Sequence, residues 1–207
     1  MSVFDLGTRI PLLISANWLN ATHGKTSQSF AEAVDVMPTL ADLAGIPVPE
    51  SEGLQGKSLV PVLTDPTVSA TVHEVALSQF PRCWQNETQV NGGRKCGDEK
   101  NQTNDEHNMC DCHWAPGKYI NFMGYSMRAM KPFPLRYTQW VRWNGTQPDW
   151  TSVFARELYD HTGDQGIAFQ TDAFENHNLA DAPEHAELVG QLAVQLDREF
   201  DQYVLRD

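Results

Sequence analysis

The chain has 207 residues, of which 41% are hydrophobic and 10% aromatic, so its composition is that of a folded protein and not of a disordered one. Its formal net charge is -12 at pH 7. We therefore expect no nucleic acid and no membrane surface among its partners, because binding to either needs a basic face. No apolar run in the sequence approaches the roughly 20 residues that a membrane-spanning helix requires.

The first part of the chain predicts one strand and one helix. Residues 10–14 are uniformly apolar, so we expect a buried strand of a parallel sheet there. A helix follows, with Asp35 as its N-cap and Gly45 at its carboxyl end. Its apolar side chains recur at helical spacing, and we expect them to lie in the core: Phe30, Val34, Met37, Leu40, Leu43 and Ala44.

The rest of the chain predicts separate strands and a final helix. Asp181 is the expected cap of that helix and Pro183 lies in its first turn, ahead of an apolar stripe that runs to Tyr203. This order of elements indicates an α+β fold. The strands are predicted at residues 74–80, 122–127 and 136–143, with a shorter one at Leu158 and Tyr159.

The four cysteines fall in one polar stretch that cannot build a core of its own, so we expect disulfides there. Cys110 and Cys112 are too close in sequence to bond without strain, which leaves two connectivities with the other two cysteines. A zinc site with His107 and His113 is the alternative. The predicted disulfide residues are Cys83, Cys96, Cys110 and Cys112.

Four Asn-x-Ser/Thr sequons indicate a protein of the secretory pathway. The beginning of the chain nevertheless lacks the basic region and apolar core of a signal peptide. We therefore expect that the chain is a truncated part of a secreted protein. The predicted glycosylation sites are Asn20, Asn86, Asn101 and Asn144.

The residues alone predict no self-contained catalytic, cofactor-binding or metal site. There is no H-E-x-x-H motif, and the nearest match to a nucleophile elbow, residues 124–128, lacks its closing glycine. The scattered histidines are interpreted as surface or packing residues and not as ligands: His23, His73, His161, His177 and His185.

A family resemblance goes further. Residues 35–47, D-V-M-P-T-L-A-D-L-A-G-I-P, resemble the D-x-x-P-T-L-x-D-L-A-G segment that follows the catalytic core of type I sulfatases, in the alkaline phosphatase superfamily. Residues 54–59, L-Q-G-K-S-L, are similar to the family's downstream G-x-S-L turn. Segments similar to the iduronate-2-sulfatase-like branch are residues 4–12, 76–82, 123–128, 136–141, 157–160 and 178–180.

This resemblance implies a division of the chain and an activity. Residues 1–64 would be the last strand and helix of an α/β sulfatase core. Residues 65–207 would be a C-terminal subdomain, a small antiparallel sheet with a packed C-terminal helix, carrying a Cys-rich insertion at 83–118. The full-length enzyme would hydrolyse sulfate esters of sulfated sugars or glycosaminoglycans in the lysosome or outside the cell.

The resemblance transfers no catalytic or metal residue to this chain. Sulfatases use a formylglycine made within a C-x-P-x-R motif, and a calcium ion; the motif is absent here. We therefore expect the chain alone to be inactive, with calcium, the sulfated carbohydrate and the catalytic residues belonging to a missing N-terminal catalytic region. The alternative is a non-catalytic glycosylated binding or structural domain derived from a sulfatase.

Two arginines carry the remaining hypothesis about a site. Arg128 and Arg136 are expected near one end of a hairpin, where an arginine fork would suit a sugar carboxylate or sulfate at the mouth of the pocket. The other interpretation is that they pair with acids such as Asp160 or Glu157 and hold the sheet to the core.

Overall fold

The computed structural model describes residues 3–20, 23–48, 50–65, 72–82, 122–164 and 174–201. The structural statements that follow refer to these residues. The predicted disulfides, the alternative zinc site and two of the sequons fall outside them and stay predictions: Cys83, Cys96, Cys110, Cys112, His107, His113, Asn86 and Asn101.

The helices in the described part of the first third of the chain are short. They are α1 (Asp5–Thr8), α2 (Val36–Leu43) and α3 (Val60–Thr64), with 3-10 turns at Ala33–Asp35 and Glu50–Glu52. The predicted strand at residues 10–14 is wrong: its backbone joins no sheet, and Leu13 is 92% exposed. A strand needs a neighbouring backbone to pair with, and the four described strands pair only with one another.

The predicted helix at α2 is confirmed, but its orientation is not. Gly45 adopts φ +67° just past its end, which lets the amide of Ile46 donate to the carbonyl of Ala41 at 2.9 Å. Most of the stripe expected in the core is instead exposed, with Met37 at 60% and Leu40 at 57%. Val34 and Ala44 are exposed as well, and Phe30 and Leu43 are only partly buried. Asp35 does not cap the helix through its side chain, because its carboxylate is committed to other partners.

The α+β architecture with a small antiparallel sheet is confirmed. The sheet has four described strands in the order β1 (Val75–Arg82), β2 (Phe122–Ala129), β3 (Leu135–Trp143) and β4 (Pro148–Asp160). Every neighbouring pair is antiparallel. The last strand, β4, is much longer than predicted. Its pairing with β3 is irregular on either side of Val141 in β3, and these irregularities interrupt the alternation by which a strand is recognised in the sequence.

The hydrophobic core lies between one face of this sheet and the last helix, α4 (Ala186–Asp201). A 3-10 turn at Pro183–His185 precedes the helix, so Pro183 opens this segment as predicted. The predicted Asp181 cap is wrong, because the N-cap is Ala182 and no side chain caps the turn. Within the described residues, no helix is both long and apolar enough to cross a membrane. The central core side chains are Met127, Leu135, Tyr137, Val141, Leu158, Leu192 and Leu196.

Candidate functional site: a buried ionic cluster

The opposite face of the sheet is polar, and much of it is buried. At one end of β2, β3 and β4 it meets α1 and the segment around Glu175, and charged side chains from all of these converge there. We call this group the ionic cluster. It consists of Asp5, Arg9, Arg128, Arg136, Glu157, His161, Asp164 and Glu175.

Arg9 and Asp164 form the part of the ionic cluster that holds α1 to the sheet. The guanidinium of Arg9 donates to both carboxylate oxygens of Asp164, at 3.1 and 2.5 Å. Its Nη2 also lies 2.5 Å from Oδ2 of Asp5, one turn earlier on the same helix. The hydrogen bond to Asp164 raises the pKa of Arg9, because it favours the charged form of the guanidinium.

Arg136 is the most enclosed cation of the ionic cluster, with 1% of its surface exposed. Its Nε donates to Glu175 and its Nη1 donates to Oγ1 of Thr138 at 2.6 Å. Its guanidinium carbon lies 4.6 Å from the centre of the Phe4 ring and 4.7 Å from that of Tyr159. The two rings stack on the planar guanidinium of arginine, and the compact ammonium of a lysine would make poorer contact with them.

His161 joins the two halves of the ionic cluster. Its Nδ1 lies 3.0 Å from Oδ2 of Asp164 and its Nε2 lies 3.3 Å from Oε1 of Glu175. Its backbone amide donates to the carbonyl of Pro134 at 2.8 Å, which fixes the chain beside the β2–β3 turn. The ring, fully buried, is also stacked on Phe174 at 5.6 Å between centres.

The charges of the ionic cluster change the ionisation of its members. Burial raises the pKa of the Glu175 carboxyl, but the hydrogen bond with His161 and the charge of Arg136 outweigh it, so this pKa lies below its ordinary value of 4.5. Burial lowers the pKa of Arg128. Its Nη1 donates to the carbonyl of Leu135 at 3.0 Å, and its Nη2 lies 3.5 Å from Asp164.

The ionic cluster is built to join segments and does not fit the calcium ion that the sulfatase family implies. Asp5, His161 and Glu175 offer ligand atoms within 4.8 Å of one another. Calcium prefers six to eight oxygen ligands, whereas a nitrogen is one of these three donors. Arg9 and Arg136 already place positive charge on the two carboxylates, which a metal ion would have to displace.

The structure brings Arg128 and Arg136 together, as neighbours across β2 and β3. Of the two acids considered for them, Glu157 lies 3.6 Å from Nη2 of Arg136, while Asp160 accepts from the backbone of Thr162. Whether they face a substrate pocket in a longer protein stays a prediction. Two sequon asparagines, Asn20 and Asn144, lie within the described residues, and both are exposed.

Most of the ionic cluster was missed by sequence reasoning. Asp5, Asp164 and Glu175 stand in polar surroundings with no spacing that marks a site, and His161 was interpreted as a surface or packing residue. One signal was available, since His161 directly follows the E-L-Y-D segment of the family resemblance. That signal marked the region around His161 as similar to the family, but it did not indicate which residues His161 would contact.

A second buried polar site fastens α2 to the sheet. Nε2 of His73 lies 2.9 and 3.0 Å from the two carboxylate oxygens of Asp35, which has no exposed surface. The amide of Lys57 donates to the same carboxylate at 2.8 Å. Glu32 accepts from the amide of Leu77 in β1 at 2.6 Å, and burial raises the pKa of its carboxyl.

Comparison with known proteins finds a similar fold in a solved hydrolase. In structure, the chain is similar to the phosphonate monoester hydrolase of Agrobacterium radiobacter, with a TM-score of 0.50 and 18% identity over 87% of this chain and 27% of that one. No family model matches the chain.

In sequence, the chain is similar to the iduronate 2-sulfatase of Mus musculus, with 24% identity over 234 residues. The match covers 92% of this chain and 36% of that relative, so the chain spans about a third of the relative's length. The resemblance to the sulfatases predicted from the sequence is confirmed by this match.

Proposed function

We propose that this chain is the C-terminal part of a sulfatase of the secretory pathway, an enzyme that hydrolyses sulfate esters of sugars or glycosaminoglycans. The observation that carries the proposal is the match to iduronate 2-sulfatase along 92% of the chain. The fold supports the same origin, since its structural neighbour is also a hydrolase of ester bonds.

The proposal assigns this part a supporting role and no catalytic step. The charged side chains of the ionic cluster are paired with one another, so they are not poised to attack or protonate a substrate. What the resemblance implies for the full-length enzyme is a formylglycine nucleophile and a calcium ion supplied by the upstream region. In the present chain, the ionic cluster would hold the small sheet against the segment that leads to that region.

The alternative is a non-catalytic glycosylated binding or structural domain derived from a sulfatase. The exposed sequon at Asn144 and the absence of a C-x-P-x-R motif from the sequence fit this alternative equally well. The two candidates differ in what is encoded upstream of Met1.

The experiment is to sequence the transcript upstream of Met1 and to express the complete reading frame in a secretory host. We expect an in-frame C-x-P-x-R motif, formylglycine in the purified protein by mass spectrometry, and turnover of an aryl sulfate. The same protein with the motif cysteine replaced by alanine is the matched control. A stop codon upstream of Met1, or an open frame without the motif, would instead support the non-catalytic domain.

The chain by itself supplies the second arm of the test. Residues 1–207, purified after secretion, should hydrolyse the same aryl sulfate no faster than a heat-inactivated sample, because a covalent mechanism has no carrier without its nucleophile. Turnover above that background would show that the catalytic group lies within this chain and would contradict the proposal.

A further inference from the structure

The buried ring of His161 has a carboxylate beside each of its two nitrogens. Nδ1 lies 3.0 Å from Oδ2 of Asp164 and 3.7 Å from Oδ2 of Asp5. Nε2 lies 3.3 Å from Oε1 of Glu175. A neutral imidazole has a single N–H group, so its lone pair would face an acceptor oxygen at one of these contacts. The doubly protonated ring can donate at both contacts.

The two carboxylates nearest the ring are held in their ionised form. Asp164 accepts two N–H groups from the guanidinium of Arg9. Glu175 accepts from Nε of Arg136 and, at 3.0 Å, from the amide of Asp5. The pKa of Glu175 lies below its ordinary value for this reason. Because neither acid supplies the proton that a neutral ring would need to contact, the proton belongs on His161.

The charges that surround the ring balance only when His161 is protonated. They come from α1, from β2, β3 and β4, and from the segments that follow β4. The carboxylates number four and the guanidiniums three: Asp5, Glu157, Asp164 and Glu175 against Arg9, Arg128 and Arg136. Tyr159, which also lies at this end of the sheet, stays neutral because burial raises its pKa. A neutral His161 would therefore leave one enclosed negative charge without a counterion, and such a charge is strongly destabilising.

The backbone fixes the ring in this position. The amide of His161 donates to the carbonyl of Pro134 at 2.8 Å, and its carbonyl accepts from the amide of Asp164 at 3.0 Å. A ring that has lost its proton thus cannot turn away from the carboxylates. The repulsion is relieved only if the segments that carry the carboxylates move, and these include α1 and the segment around Glu175.

We infer that His161 is a buried imidazolium and that the loss of its proton releases α1 and the Glu175 segment from the sheet, so that the ionic cluster is a pH-sensitive latch. An ordinary histidine releases its proton near pH 6.5, whereas arginines keep theirs up to about pH 12. The unfolded chain therefore loses this proton at a lower pH than the folded chain. Between those two pH values the folding equilibrium constant falls by up to about tenfold per pH unit. The inference concerns this chain itself and holds for either candidate function.

The protonation of His161 can be read directly in the wild-type chain. In protein labelled with ¹⁵N-histidine, the two nitrogens of a doubly protonated ring resonate close together, whereas those of a neutral ring are far apart. The signals that disappear in His161→Gln give the assignment. We expect His161 to remain doubly protonated about one pH unit above the ordinary value near 6.5. A ring that is neutral at about pH 6 would overturn the inference.

Stability as a function of pH tests the consequence for folding. In urea denaturation between about pH 5.5 and 8.5, the advantage of the wild type over His161→Gln should shrink at least tenfold in the folding equilibrium constant, since the variant has no such proton to lose. His177→Gln is the matched control, because His177 is exposed and lies close to Glu175 in the sequence. That control should follow the wild-type curve. Parallel curves for the wild type and His161→Gln would contradict the inference.

Glu175→Gln provides an independent variant, which decides the question even if His161→Gln fails to fold. The amide of a glutamine can donate to a neutral ring, so deprotonation of His161 is no longer penalised at this contact. We expect the folding equilibrium constant of Glu175→Gln to fall at least threefold less than that of the wild type over the same alkaline range. An equal fall would count against the latch.

Hydrogen exchange shows whether α1 is the part that is released. The amide of Asp5 donates to Glu175, and the amide of Arg9 donates to the carbonyl of Asp5 at 2.8 Å. Their protection factors, corrected for the pH dependence of intrinsic exchange, should fall as His161 loses its proton, while those of β3 stay constant. Unchanged protection of both α1 amides around a neutral ring would refute the release of α1.

Discussion

The backbone at Gly56 lies directly against the carbonyl of Val34. A Cβ atom at position 56 would stand 2.0 Å from that carbonyl oxygen and 2.8 Å from the amide nitrogen of Asp35. Only glycine permits this approach, which brings residues 57–59 within hydrogen-bonding distance of Asp35 and Thr39. The glycine of the sulfatase-like G-x-S-L turn therefore has a packing role in this structure.

Gly56→Ala should lower the free energy of unfolding by about 2 kcal/mol or more, because neither backbone can move away without breaking buried hydrogen bonds. Gly190→Ala is the control, since a Cβ there meets nothing within 4 Å in helix α4. That control should stabilise the protein by roughly 0.5–1 kcal/mol. Urea denaturation of both variants would test this, and an unchanged midpoint for Gly56→Ala would contradict the packing role.

Glu175→Gln should flatten the acid side of the stability curve. Because the folded state holds the pKa of Glu175 below 4.5, its contribution is present above that pH and is lost as the pH falls through the lower, folded pKa. The wild type should therefore lose stability more steeply below pH 4.5 than the variant. Thermal melts from pH 3 to 7 give the comparison, with the exposed Glu74→Gln as control. Parallel curves for wild type and Glu175→Gln would refute the assignment.

Arg136→Met should destabilise the fold by about 3 kcal/mol or more, because it leaves the buried carboxylate of Glu175 and the half-buried carboxylate of Glu157 without their cation. Combining it with Glu175→Gln should cost less than the sum of the two single changes, since they act on one pair. Arg198→Met, at a position whose side chain is 70% exposed, should change stability by less than about 0.5 kcal/mol. Strict additivity of the double variant would argue against the pairing.

The strands and the last helix were predictable because their packing leaves a period in the sequence. In β3, Leu135, Tyr137 and Val141 face the core on one side, at successive intervals of two and four residues, and α4 repeats its apolar residues at helical spacing. The boundaries of β4 were not predictable, since its pairing irregularities break that period.

The contacts between helices, strands and side chains were harder to predict than the helices and strands themselves. The stripe on α2 was recognised correctly as apolar, but hydrophobic spacing says only that a face should be covered and not which part of the protein covers it. The ionic cluster leaves no period at all, because Arg9 and Asp164 are 155 positions apart and polar residues without spacing look like ordinary surface.

The four cysteines of the 83–112 stretch should form two disulfides when the chain is made in an oxidising compartment. Intact mass with and without alkylation of the unreduced protein should then be identical. A Cys83→Ser variant should expose one free thiol and so gain one alkyl group. Stoichiometric zinc in the purified wild type, lost with a chelator, would favour the metal site with His107 and His113 instead.

Asn144 should carry an N-linked glycan when the chain is secreted by a glycosylating host. It lies exposed in the turn between β3 and β4, where Gly145 has φ +106° and the Asn144 side chain accepts from the amides of Thr146 and Gln147. Asn144→Gln should remove one glycan from the intact mass. Asn17→Gln, at an exposed asparagine outside any sequon, should not. Equal masses for wild type and Asn144→Gln would contradict this.

The long sequence separation within the ionic cluster has a consequence for the order of folding. Strands β2, β3 and β4 follow one another and can pair soon after synthesis, whereas Asp5 cannot meet Glu175 until 170 further positions have been translated. Until then α1 remains undocked, because Asp5 and Arg9 lack the partners Glu175 and Asp164 that hold it to the rest of the structure. The time that the ribosome takes to reach Glu175 therefore sets how long α1 stays undocked in each nascent chain.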